Sequence, residues 1–187
     1  MQRIEKPKLV SDNILLRPLE VDDLANRVKW QNDPDINATL IVHEVFTLEK
    51  TRQWFEKAQE DATRLDLTIV SREEKRLIGF AGFRKINRHN RSACIYILIG
   101  EKEFWGKGIM YEAELSLMEY GFRTINLHKI WGDVLEHNIA SYITMKKIGF
   151  QREGVLRDEY YKDGKYISVY RLSMLQEDFL KTYEDEY

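Results

Sequence analysis

A single α/β domain of the α+β kind, built around one mixed sheet flanked by helices, is predicted by three observations. The 187 residues, 43% of them hydrophobic, can fill one well-formed core but not two comfortable ones. Segments of strand and helix periodicity follow one another in the order β-α-α-β-β-β-α-β-α-β-β. No repeat, low-complexity tract or Pro-rich linker divides the chain, so 1–187 reads as one unit.

The elements follow in order. Residues 14–17 are a short apolar strand ended by Pro18, and Asp22 and Asp23 open a helix that runs to about Gln31 before Asn32, Asp33 and Pro34 stop it. Thr47 caps a second helix, with Trp54, Phe55 and Ala58 at helical spacing. Residues 67–70 and 77–83 are strands joined by a polar hairpin loop at 72–75. Residues 93–99 are apolar on both faces, as in a central strand covered on two sides. Residues 108–123 form a well-buried helix, 130–135 a strand, and 138–148 a helix closed by Gly149 in the left-handed position. Asp163-Gly164 between alternating aromatic and polar residues is a two-residue type I′ hairpin.

Composition narrows the function. The longest apolar run, 93–99, is seven residues, against about 20 for a membrane-spanning helix. The mixed-charge start from Met1 to Pro7 has no apolar stretch of a signal peptide. One cysteine, Cys94, excludes an intrachain disulfide and a cysteine-cluster metal site, which fits a reducing compartment. With 29 Lys+Arg against 31 Asp+Glu and a net charge of -2, the chain lacks the electrostatic footprint of a nucleic-acid binder. The expectation is a cytoplasmic protein handling a small ligand or a local peptide, with no metal, nucleic acid or membrane partner.

Chemistry is expected where strand 93–99 gives way to Trp105-Gly106-Lys107-Gly108 and a helix. Glycines let backbone approach a ligand, and the N–H groups that open a helix favour an anion, usually phosphate. Alone, the same residues read equally as a glycine-bent turn. A P-loop fails by spacing, because Gly100 lies one residue too far from Gly106 and Gly108 stands where a hydroxyl is needed. A dinucleotide fingerprint fails because its third glycine falls on Tyr111.

Residues 99–108, with Glu112-Ala113 in the following helix, Asn138-Ile139-Ala140-Ser141 and Lys147-Ile148-Gly149-Phe150, resemble the GNAT superfamily of acetyl-CoA-dependent N-acetyltransferases. The RimJ/RimL-type branch is the nearer likeness, through Leu16-Arg17-Pro18-Leu19, Ile78-Gly79-Phe80 and Glu153-Gly154 to Arg157. Five blocks in order cover about residues 13–175. The resemblance implies a single GNAT-like domain on a mostly antiparallel mixed sheet, with acetyl-CoA as co-substrate and no metal. It places the pyrophosphate loop on Trp105, Gly106, Lys107, Gly108, Ile109 and Met110, where only Gly108 matches the strict signature. Backbone near Leu98, Ile99 and Gly100 would meet the pantetheine arm, and Asn138 would anchor it. Asn138 is equally an ordinary helix N-cap.

Acetyl transfer from a thioester to an amine needs stabilisation of the carbonyl oxygen, loss of an amine proton and protonation of the leaving thiolate. Where many family members place a donor tyrosine, this chain has Met145, which cannot donate. The branch points instead to Ser141, with Tyr142 second. No base is assigned: the branch's glutamate falls on Tyr160, and water relayed to Glu101 or Glu136 is the first hypothesis. Substrate binding is expected from Trp30 and Asn32 and from the loop at 43–46, although Trp30 reads equally as the buried face of the first helix. The acceptor is a primary amine: a protein N-terminus, a polyamine or an amino sugar. A homodimer is left open. The competing reading is a non-catalytic acyl-CoA-binding or regulatory module on the same fold.

Overall fold

The structure, a computed structural model, describes residues 6–41 and 44–183. The alternating N-terminal segments become strands β1 (Leu9–Val10) and β2 (Ile14–Pro18), with the proline at the strand's end. A short 3₁₀ turn leads into helix α1 (Leu24–Asn32). Asp33 accepts from the amides of Asp35 and Ile36 and so starts a separate single turn, α2 (Pro34–Asn37). Thr47 caps α3 (Leu48–Glu60) through the amide of Lys50. Strands β3 (Leu65–Ser71), β4 (Leu77–Asn87) and β5 (Ser92–Ile99) form a meander, and β4 runs four residues past the predicted end.

After β5 come α4 (Ile109–Glu119), β6 (Lys129–Leu135), α5 (Ile139–Ile148), β7 (Gln151–Lys162), β8 (Lys165–Leu175) and α6 (Gln176–Thr182). The predicted helix over 108–123 divides, because a wider π turn replaces the α-helix over Tyr120–Thr124. Gly149 closes α5 at φ 112°, and Asp163 and Gly164 turn the last hairpin at φ 50° and 81°. Beyond the predicted order the structure adds β1, α2 and α6.

The sheet order is β1-β2-β3-β4-β5-β6-β8-β7. Only β5 and β6 are parallel, so the sheet is mixed and mostly antiparallel as expected. One face packs on α4 and α6 in the main core, around Phe83, Ile95, Leu117, Phe122 and Phe150. A smaller cluster on the other face joins Leu24 and Trp30 of α1 to Phe80 and Leu98. Among the described residues, no helix is long and apolar enough to cross a membrane.

Topology creates one opening. β5 and β6 pair only at Ser92↔Lys129, Ala93↔Ile130 and Cys94↔Trp131, while β5 continues to Ile99 and β6 to Leu135. Beyond Cys94 the two strands part in the middle of the sheet.

Candidate active site

The turn from β5 to α4 takes its shape from two glycines. Gly106 and Gly108 stand at φ 74° and 80°, the left-handed region that side chains with a Cβ resist, while nothing lies within 4 Å of where a Cβ would sit. Conformation, not space, calls for glycine there. Gly108 is the N-cap of α4, and its carbonyl accepts from the amide of Glu112 at 3.0 Å. The amides of Gly108, Ile109 and Met110 come before that first bond and are free to meet an anion. Ile109 buries its side chain, so only its backbone is offered. Trp105 is exposed and donates its indole N–H to the Ile99 carbonyl at 3.0 Å, tying the loop to the end of β5. Lys107 is exposed, its Nζ 5.4 Å from the Phe104 ring.

Where the strands part, a cavity of about 320 Å³ runs through the sheet. From the α4 and α5 side it is bordered by Met110, Glu114, Asn138, Ser141 and Met145. On the α1 side stand Arg27, Gln31, Leu40, Arg84 and Tyr160, with Leu98 on the parted strand itself. Asn138 does cap α5, accepting from the Ser141 amide at 3.2 Å, and this leaves its Nδ2 available. Met110 points into the cavity instead of the core.

The structure thus brings Leu98, Met110, Asn138 and Ser141 to one space, while Ile99, Gly100 and residues 105–109 follow Leu98 and precede Met110 in the chain without lining it. Trp30 and Asn32 do not border it. Trp30 is buried, stacked 5.3 Å from Phe80, with its indole N–H donating to Glu101 at 3.1 Å. Asn32 exchanges hydrogen bonds of 2.7 and 2.8 Å with the backbone of Phe46. Glu101 and Glu136 also lie outside the cavity. Glu101 is held by Trp30 and by Arg76 at 3.2 Å, and Glu136 accepts from the Ser168 amide at 3.2 Å. His43, in the loop at 43–46, lies outside the described residues.

Charged and polar residues at the cavity that were not expected include Arg27, Gln31, Arg84, Lys85 and Glu114. Glu114 is 2% exposed, and burial pushes its carboxyl up to about 8. Its place one helical turn after Met110, on the stripe that continues to Leu117, was the available signal. Burial also raises the Tyr160 phenol, so it is protonated at neutral pH and is no base. Asp133 is clamped by Arg171 at 2.8 and 2.7 Å. Cys94 is inert as a thiolate, because burial pushes its thiol up to about 11. Among the described residues no group of three or more His, Cys, Asp or Glu side chains is placed to hold a metal.

A mixed sheet parted at its two parallel strands, with a helix that presents free amides following β5, suits a phosphate-bearing co-substrate, and the family match makes the class that of the acetyl-CoA-dependent acetyltransferases. The chain belongs to the GNAT acetyltransferase family, whose co-substrate is acetyl-CoA: the family described as Acetyltransferase (GNAT) domain matches residues 13–151. It is 28% identical over 174 residues to the uncharacterized N-acetyltransferase p20 of Bacillus licheniformis, covering 91% of this chain and 97% of that protein. It is 29% identical over 180 residues to the spermidine N(1)-acetyltransferase of Escherichia coli (strain K12), covering 90% and 89%. The crystal structure of spermidine N-acetyltransferase from Vibrio cholerae in complex with CoA and spermine superposes with a TM-score of 0.85 at 28% identity, over 91% of this chain and 99% of that one. The residues present suit a CoA thioester. Free amides open α4, unpaired backbone edges line the gap, and the buried Glu114 Oε2 has no partner among the described residues.

Proposed function

We propose that the protein transfers the acetyl group of acetyl-CoA to a primary amine by direct transfer in a ternary complex at the gap between β5 and β6. The carrying observation is that the cavity at the parted strands is lined both by residues of α4 and α5 and by residues of α1, so thioester and amine can meet there from opposite sides. The amides of Gly108, Ile109 and Met110 receive the pyrophosphate, backbone from Leu98 to Gly100 lies along the pantetheine arm, and Asn138 Nδ2 holds it. The amine nitrogen forms the new bond to the carbonyl carbon as the carbon–sulfur bond breaks. The Ser141 hydroxyl gives a proton to the leaving sulfur and regains one from water. Since the thiol is already acidic, with an ordinary pKa of about 8.5, this help is modest.

Asp133, the carboxylate that lines the cavity on the α1 side, is paired with Arg171 and so is not free to take the amine's proton. Acceptors whose amine has a pKa near 8 are therefore favoured over those near 10.4. The motifs resemble the RimJ/RimL-type branch, whereas the relatives that match over most of the chain include spermidine N-acetyltransferases, so polyamines join amino sugars and peptide N-termini in the substrate panel. A cytoplasmic location suits this chemistry.

The test is thiol release from acetyl-CoA with that panel. Ser141→Ala is expected to lower kcat about 10- to 100-fold, the low end of proton-transfer effects, and to spare acetyl-CoA affinity. An equal loss of both would make Ser141 a binding residue. Tight acetyl-CoA binding with no turnover of any amine would favour a non-catalytic acyl-CoA-binding module.

A further inference from the structure

Three buried side-chain atoms lack a hydrogen-bond partner among the described residues: Gln31 Oε1, Arg84 Nε and Glu114 Oε2. All three residues border the same cavity. An unsatisfied buried polar atom is costly, so three around one space mark a site shaped for a polar ligand. Glu114 lies toward the co-substrate, whereas Gln31 and Arg84 lie on the α1 side where the amine enters.

That side carries three cations without an ion pair, facing Asp133, which Arg171 holds, with Glu44 on the wall of the adjoining cavity. Arg27, Arg84 and Lys85 all border the cavity, and none is ion-paired among the described residues. The contrast with Arg17, Arg64 and Arg171 is plain, since each of these holds a carboxylate at 2.6–2.7 Å. Arg27 is buried and lies 4.3 Å from the Trp54 ring and 5.2 Å from Phe80, so aromatic faces fix the guanidinium without neutralising it. Burial pulls its pKa below the ordinary value, as for a cation short of counter-charge.

Backbone geometry turns the other two the same way. The β4–β5 register shifts between Arg84 and Asn87, with Lys85 at φ 52°. In a regular strand neighbouring side chains point to opposite faces, but here Arg84 and Lys85 both reach one cavity. A left-handed lysine is strained, and the bulge holds it. A second cavity of about 250 Å³, which shares Arg27, Gln31 and Arg84 as its wall and reaches Lys50, gives room for the rest of a ligand.

We infer that the acceptor is an amine that also carries an anionic group, a carboxylate or a phosphate, bound by Arg27 and Arg84, and that free polyamines are poor acceptors. The inference rests on the acetyltransferase reading above and narrows it. A polyamine would bring further positive charges against three unpaired cations. An anionic amine supplies the missing counter-charge, and its hydroxyl or N–H groups can meet Gln31 Oε1.

Matched pairs of acceptors test it, with thiol release followed under one set of conditions. Glycylglycine against its amide isolates a carboxylate, glucosamine 6-phosphate against glucosamine isolates a phosphate, and spermidine supplies the polycation. The anionic member of at least one pair is expected to have a kcat/KM roughly 10- to 100-fold above its neutral partner, the range a charge-assisted hydrogen bond supplies, and above spermidine. The responsive pair identifies the anion. Arg84→Gln should bring the ratio toward one, and Lys85→Gln, at an exposed position, should lower it by less. Spermidine or a neutral amine used as well as its anionic counterpart would overturn the inference, as would a ratio unchanged in Arg84→Gln. Intact acetyl-CoA binding with no amine turned over would also overturn it, whereas failure to bind acetyl-CoA would overturn the acetyltransferase reading as well.

Discussion

Glu114→Gln replaces the buried acid with a group of the same shape that cannot ionise. In the native protein the side chain is 2% exposed, and burial raises its carboxyl from 4.5 to about 8. Folding therefore raises this pKa. The folded state stays protonated where the unfolded chain has released its proton, so the contribution of the neutral acid is complete below about pH 4.5 and is lost as pH rises toward 8. At about 1.4 kcal/mol per unit, the native protein should lose on the order of 4 kcal/mol relative to the variant between those limits. That is a large share of a typical domain's stability. Urea denaturation of both ligand-free proteins at pH 4.5, 6 and 8 measures it, with the m-value held as a check on the unfolded state. The variant's midpoint should pull ahead of the native one as pH rises. Parallel stability curves across that window would refute the reasoning, since they would mean that Glu114 titrates as it does in the unfolded chain.

Two further substitutions probe the frame around the site. In Gly100→Ala the new Cβ would lie 1.9 Å from the Trp30 ring; overpacking of this kind should cost about 2 kcal/mol or more and shift the tryptophan fluorescence, and an unchanged denaturation midpoint would contradict the packing. Asp23 is pushed up by burial, yet Arg17, the Glu20 amide and Thr68 outweigh that and hold its carboxyl below the ordinary 3.8. Asp23→Asn should thus cost about 3 kcal/mol at neutral pH, with the gap to the native protein closing as pH falls below 3.8; a gap independent of pH in acid would show that the carboxylate is not what Arg17 reads.

What could be read from the sequence was local. The Asp163-Gly164 turn, the Gly149 stop and the Thr47 cap depend on two to four residues, and each formed where periodicity and turn chemistry put it. Strand 93–99 was legible because both its faces are apolar. The α2 turn was not, since the same Asp33-Pro34 pair that stops α1 also starts a new helix. α6 has no side-chain cap to announce it. The site was legible where backbone does the binding, in the two glycines and the residues around them. It was not legible on the α1 side, where Arg27 reads as one charge among many on a short helix until Trp54 and Phe80 close over it. Arg84 and Lys85 needed the bulge in β4, which depends on pairing with a strand seven residues further on. Trp30 admitted two readings in the sequence, substrate contact and the buried face of the first helix, and what the sequence did not show is that Gly100 clears the place its ring takes in the core.

The parting of β5 from β6 leaves this sheet with a rim in its interior. Exposed strand rims are a hazard because any extended chain can pair with them, and proteins blunt them with charge, proline or bulges. Here the rim borders the cavity lined by Met110 and Met145, where a slender visitor that bears amides could pair with it. In the proposed reaction the pantetheine arm is such a visitor and would stand in for the missing length of strand. On this view the co-substrate is in part a structural element, and the sheet is whole only while it is at work.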